Sequence, residues 1–293
     1  MRVLIIGCGY VGITLGIELI RQGHEVFGLR RNPAGESELR AAGIYPLFAD
    51  ITNLQELRKL PGKFDWVINC VAAGGGVETY RQVYLEGTSR LIEWLSSGPP
   101  QKFIYTSSTS VYAQNDGLAV DESSPTKPTV DTGKVLVETE NLLLKAVTAQ
   151  NFPAVILRVS GIYGPGRGHW FKQFFKDSAS IEGDGSRFLN MIHRDDLAGC
   201  IQVALKNGRP GQIYNATDNE PVTQLNFFRW LAGVLGKELP SASTENLSRR
   251  RGVTNKQVSN AKLRAEFGYE FRFPDFRAGY SAEILRLKSS GQI

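Results

Sequence analysis

Gly7, Gly9 and Gly12, in the run Gly7-Cys8-Gly9-Tyr10-Val11-Gly12, have the spacing most plainly suited to chemistry. They follow the apolar stretch Val3-Leu4-Ile5-Ile6 and precede a segment with Val11, Leu15, Leu19 and Ile20 at helical spacing. A buried strand, a tight glycine turn and a helix start, in that order, aim backbone N–H groups and a helix dipole at an anion. Gly7 then allows the turn, Gly9 lets the backbone approach a pyrophosphate, and Gly12 lets the helix pack closely on the strand. With Tyr10 and Val11 of the first helical turn they form a predicted dinucleotide-binding set.

The end of the second strand selects the dinucleotide. A unit that takes NAD usually carries an acidic residue there for the ribose hydroxyls. This chain has Arg30 followed by Arg31. Guanidinium groups grip a 2′-phosphate in a bidentate fashion, so NADP is expected in preference to NAD.

Composition excludes several other chemistries. Cys8, Cys70 and Cys200 are far apart and odd in number, with no Cys-x-x-Cys pair, so neither a disulfide framework nor a metal site is expected. A net charge of +5 with a pI near 9.1 suits a small anionic ligand and is too weak to argue for nucleic acid. There is no signal-peptide layout and no apolar run of membrane-spanning length, which predicts a cytoplasmic protein without membrane contact.

The elements that position these residues alternate. Strands are predicted at 3–6, 25–29, 45–48, 66–71, 102–107 and 154–160, with helices at 10–22, 79–97 and 132–150. Such alternation means parallel pairing through right-handed crossovers, hence an α/β doubly wound parallel (Rossmann) sheet. Past Gly161 the pattern breaks into Gly/Pro-rich loops and aromatics. The expected division is a dinucleotide-binding domain of 1–160 and 193–217, with a smaller C-terminal substrate-binding region of 161–192 and 218–293.

Further landmarks resemble the extended short-chain dehydrogenase/reductases, the NAD-dependent epimerase/dehydratase family, over nearly the whole chain. Asp50-Ile51 resembles the pair that contacts adenine. The run Val67 to Ala73 resembles the fourth-strand segment in which Val71, Ala72 and Ala73 line the cofactor. Thr106 to Tyr112 resembles the fifth-strand signature, with Ser108 at the catalytic Ser/Thr. Leu157 through Gly166 and Arg187 through Asp196 resemble the stretches beside the nicotinamide and the substrate. The resemblance implies that Ser108 and Lys134 are catalytic, that Lys134 also holds the cofactor ribose, and that Tyr163, His169 and Arg187 face the substrate. Arg187 would meet a substrate phosphate, with the run Arg249-Arg250-Arg251 able to serve the same anion. Relatives dimerise through the two long helices, so a homodimer is a further expectation.

Two departures qualify this reading. The family's usual G-x-x-G-x-x-G loop would place its first glycine at Ile6, and its Tyr-x-x-x-Lys motif has Val130 where the tyrosine should stand. The tyrosine moves a proton while hydride passes to or from the nicotinamide, and valine has none to give. Lys134, Tyr84, Tyr112, Tyr163 and His169 are the candidate replacements. The sequence therefore predicts an NAD(P)-dependent epimerase, dehydratase or reductase acting on a sugar-nucleotide-like substrate. The alternative is an NADP-binding redox sensor or regulator that has lost the chemistry.

Overall fold

Val3, Leu4, Ile5 and Ile6 are fully buried in β1 (Arg2–Ile6), as a continuous apolar run between two faces of covering helices requires. The computed structural model describes residues 1–243 and 254–292. In it β1 is joined by β2 (Glu25–Arg30), β3 (Tyr45–Phe48), β4 (Trp66–Asn69), β5 (Lys102–Ser108), β6 (Ala154–Val159) and β7 (Ile213–Ala216). The seven-stranded order is β7-β6-β5-β4-β1-β2-β3. The pairs β1–β2, β1–β4, β2–β3 and β4–β5 are parallel, so these strands share one carboxyl edge. The order reverses between β4 and β1, the switch point at which such sheets bind ligands.

The chain divides into two compact units. The first comprises residues 1–111, 128–158 and 198–214; the second comprises 112–127, 159–197 and 215–293. Residues 112–127, grouped by the sequence reading with the dinucleotide domain, fall in the second.

In the first unit α1 (Tyr10–Arg21) and α2 (Asp131–Gln150) keep close to their predicted bounds. The helix predicted at 79–97 is not continuous. It begins as Val77–Tyr80, widens to a π-helical stretch at Arg81–Glu86 and resumes as Gly87–Leu95. Such wide turns reset the helical phase and recur at functional sites. Here the buried residues Tyr84, Thr88, Leu91 and Ile92 share the inner side of the run.

The second unit is built from short paired strands around an aromatic core. Met191–His193 runs parallel to Gly161–Tyr163, and Gln257–Val258 runs parallel to Ala119–Val120. Phe171, Phe174, Phe227, Phe228, Phe276 and Tyr280 fill the interior with Tyr163. Asp275 caps the last helix, Phe276–Ser289, by accepting hydrogen bonds from the Arg277 and Ala278 N–H groups. The Arg249-Arg250-Arg251 run lies outside the described residues. No helix among the described residues is long and apolar enough to cross a membrane.

Candidate cofactor and active site

Two of the three loop glycines are required by the fold itself. Gly7 has φ +74°, and a Cβ there would lie 2.7 Å from backbone atoms of Val71, so only glycine lets the turn sit against the end of β4. A Cβ on Gly12 would lie 2.9 Å from Ile5 Cγ2, which fixes the close approach of α1 to β1. Gly9 meets nothing nearer than 3.9 Å and caps α1 without a side-chain hydrogen bond. The first turn, with Tyr10, Val11 and Gly12, holds no acidic residue. The N–H groups of a helix's first turn have no intrahelical partner, and the dipole there favours an anion. These features fit a dinucleotide pyrophosphate at the switch point.

Around that turn the predicted residues differ in how much of their chemistry is already used. Arg30 donates from Nε to the Cys8 carbonyl and from Nη2 to Glu38 at 2.8 Å, so its fork is engaged within the protein. Arg31, the next residue, is exposed and has no side-chain partner among the described residues. Asp50 accepts from Thr52 N–H at 2.9 Å and from its hydroxyl at 2.7 Å, a local turn that holds the loop after β3, with Ile51 buried behind it. Val71 packs on Gly7, and Ala73 N–H donates to the Tyr84 hydroxyl at 3.1 Å.

At the end of β5 two adjacent serines part company. Ser107 is buried and donates to Glu140 Oε1 at 2.6 Å; Glu140 in turn receives Arg158 Nη2 at 2.7 Å. Ser107 therefore belongs to an internal ion-pair network. Ser108 accepts from Ser110 N–H at 3.2 Å, which leaves its hydroxyl proton for an external acceptor.

Lys134 is exposed on the first turn of α2 and pairs with Asp131 at 2.8 Å, holding that carboxyl below the ordinary carboxylate range. The spacing from Val130 to Lys134 matches the family pattern in number, but the helix turns this lysine to solvent while Leu136 and Glu140 take the inner side. Val130 precedes α2 in an extended conformation, and its carbonyl accepts from Gly133 and Lys134.

Among the candidate proton carriers, Tyr112 is buried with its hydroxyl on Asn215 at 2.9 Å. Tyr163, expected at the substrate, is instead packed in the core of the second unit at 1 % exposure. It stacks on Tyr280 and donates to the Asp275 carbonyl, and burial raises its phenol pKa far above normal. The reason is local: Gly161–Tyr163 is a strand whose last side chain turns inward. His169 is exposed at the start of the helix His169–Phe175, with its ring against Trp170. Tyr84 alone among these tyrosines has its hydroxyl on the backbone that follows β4. Both Cys8 and Cys70 are pushed up to about 12, chiefly by burial, so neither supplies a thiolate.

Arg187 in the second unit donates to Glu182 Oε2 at 2.8 Å. Sequence reasoning passed over its neighbour Lys256, an isolated lysine with no motif around it, which is buried at 5 % exposure.

A parallel sheet with an uncapped glycine turn at its switch point defines a dinucleotide-binding protein of the Rossmann type. The chain belongs to the NAD dependent epimerase/dehydratase family, whose family model matches residues 3–217. It is 29% identical over 284 residues to Protein YeeZ of Escherichia coli strain K12, covering 94% of this chain and 97% of that protein. It is also 29% identical to the 3-beta-hydroxysteroid dehydrogenase of Mycolicibacterium neoaurum, over 92% of this chain and 87% of the relative. The UDP-glucuronic acid 4-epimerase of Bacillus cereus, solved with UDP-glucuronic acid and NAD, superposes with TM-score 0.85 at 23% identity, covering 99% and 100% of the two chains. That likeness speaks for the fold. The enzyme class read from the sequence, NAD(P)-dependent epimerases, dehydratases and oxidoreductases, is the class of this family.

Proposed function

We propose that this protein is an NADP-preferring oxidoreductase of the epimerase/dehydratase type, acting on a hydroxyl or carbonyl carbon of a sugar-nucleotide-like substrate. The observation that carries the cofactor choice is Arg31: it is exposed and uncommitted at the end of β2, while Arg30 is tied to Cys8 and Glu38. A 2′-phosphate there takes a bidentate arginine without displacing an internal bond. The nicotinamide, when bound, accepts or supplies hydride. Gly7, Gly9 and the first turn of α1 hold the pyrophosphate, with Asp50-Ile51 and Val71 to Ala73 beside the rest of the dinucleotide. Ser108 orients the reacting oxygen through its free hydroxyl proton. The Tyr84 phenol, held by Ala73 N–H, carries the proton in place of the tyrosine missing at Val130, and Lys134 takes no part. His169 and Arg187 belong to the substrate side.

Fluorescence titration with NADP+ and NAD+ tests the cofactor choice: NADP+ binds more tightly, and the reverse order overturns it. For the chemistry, the panel is UDP-glucuronic acid and a 3β-hydroxysteroid, the compounds that the relatives' names suggest. Loss of a general acid costs about 10²–10⁴-fold, so Tyr84→Phe should lower turnover on that scale. Undiminished turnover returns the proton step to another group.

A second reading, a cofactor-binding sensor or regulator, is favoured by one observation: neither Val130 nor Lys134 offers the family's acid/base pair. It predicts tight NADP+ binding with no hydride transfer to any member of the panel.

A further inference from the structure

Arg30 is held from three sides at the end of β2. Its Nε donates to the Cys8 carbonyl at 2.5 Å, Nη1 to the Gly35 carbonyl at 3.4 Å and Nη2 to Glu38 Oε2 at 2.8 Å. The two carbonyls belong to the backbone and fix where the guanidinium lies. Gly35 leaves the space for it, since a Cβ there would collide with Arg30 Nη1. Of the three acceptors only Glu38 carries a charge.

The guanidinium thus links two parts of the dinucleotide cradle. Cys8 stands between Gly7 and Gly9 in the phosphate turn, and the end of β2 is where the ribose or its 2′-phosphate is read. Charge placed here is felt in the turn. Burial is the main cause that pushes the Cys8 thiol up to about 12; the Arg30 charge lowers it and the Glu38 charge raises it. Glu38 lies on the short helix Glu36–Ala41, with its side chain 61 % exposed against 18 % for Arg30. A carboxylate so well hydrated adds little to the fold. It nevertheless neutralises a cation that other groups hold in place. Arg31, the next residue, is exposed without a side-chain partner among the described residues.

We propose that Glu38 is a specificity-determining residue for the cofactor: as the internal counter-anion of Arg30, it withholds that guanidinium from the 2′-phosphate of NADP and so limits the preference over NAD. The inference rests on the reading of the end of β2 as the ribose side of the dinucleotide site, with Arg31 taking the phosphate. A 2′-phosphate arriving there meets an Arg30 already neutralised, and it is repelled by the Glu38 carboxylate. NAD carries a hydroxyl at that position and meets neither cost. Glu38 is then the repulsive element of a specificity pair in which Arg31 is the attractive one.

Fluorescence titration of the full-length protein with NADP+ and NAD+ tests this, because the two dinucleotides differ only in the phosphate. One charge-assisted contact is worth about tenfold or more in affinity. Glu38→Gln should therefore tighten NADP+ by about tenfold and leave NAD+ within about twofold of wild type. Glu36→Gln makes the same charge change on the same helix, at a residue paired with Arg40 at 2.7 Å. It should move neither dinucleotide by more than about twofold. With Arg30→Met in place, Glu38→Gln should gain less than about threefold, since the cation that it sets free is gone. Should Arg30→Met fail to fold, the Glu36→Gln and NAD+ arms carry the comparison. The proposal is overturned by unchanged NADP+ affinity in Glu38→Gln, by an equal gain for NAD+, or by an equal gain in Glu36→Gln. A tenfold gain that survives Arg30→Met also overturns it, because general charge repulsion then explains the result. A wild type that takes NAD+ more tightly than NADP+ sinks the cofactor preference proposed above, while the gain in Glu38→Gln still decides the role of Glu38.

Discussion

The phosphate turn and the first turns of α2 both carry a family motif, yet they treat its residues differently. At Gly7 the requirement lies in the backbone: a positive φ and a contact at 2.7 Å leave room for no other residue. On α2 the requirement lies in side chains, and the helix decides which of them faces inward. Glu140 goes to the buried network with Ser107 and Arg158, while Lys134 goes to solvent with Asp131. A spacing of four residues is therefore a weaker guide than a glycine that nothing else can replace. Motifs that constrain the backbone survive the passage from sequence to structure better than motifs that depend on helical phase.

That contrast can be broken at several points. Glu140→Ala has the largest expected effect, since removing one partner of a buried ion pair costs about 3–5 kcal/mol. Urea denaturation measures it; a loss near zero would mean that the inner side of α2 is no more demanding than the outer. Gly7→Ala comes next, with strain of about 1–3 kcal/mol and a loop that must shift away from Val71. A fall in NADP+ affinity of about a hundredfold corresponds to the upper part of that range. Retained affinity would show that the loop yields.

Arg31→Ala sharpens the cofactor side of the comparison. It should weaken NADP+ by about tenfold, the worth of one charge-assisted contact, and leave NAD+ untouched. Equal losses for both dinucleotides would place Arg31 away from the 2′-phosphate. Smallest is Lys134→Met, which removes an exposed i,i+3 ion pair that solvent screens. NADP+ affinity and turnover should stay within about twofold of wild type. A large drop in either would return Lys134 to the ribose, and with it the family's usual pattern.

Much of the architecture was legible because burial leaves a plain signature. Val3 to Ile6 read as a strand buried on both faces, and it is; residues 154–160 read as a strand, and Ala154–Val159 is one. The π-helical stretch at Arg81–Glu86 left no such trace, since its residues suit an ordinary helix and only packing sets the phase. Tyr163 likewise sat in the expected segment, but its direction was set by Tyr280 and Asp275, more than a hundred residues on.

The sequence by itself determined the doubly wound fold class, the family and the glycine turn, because hydrophobic period and backbone freedom are properties of neighbouring residues. Tertiary structure decided which charges are spent and which are left. Arg30 is consumed by Cys8 and Glu38 while Arg31 has no side-chain partner among the described residues, and Ser107 is taken by Glu140 while Ser108 is not. Each of those outcomes depends on partners distant in the chain, which spacing along it does not encode.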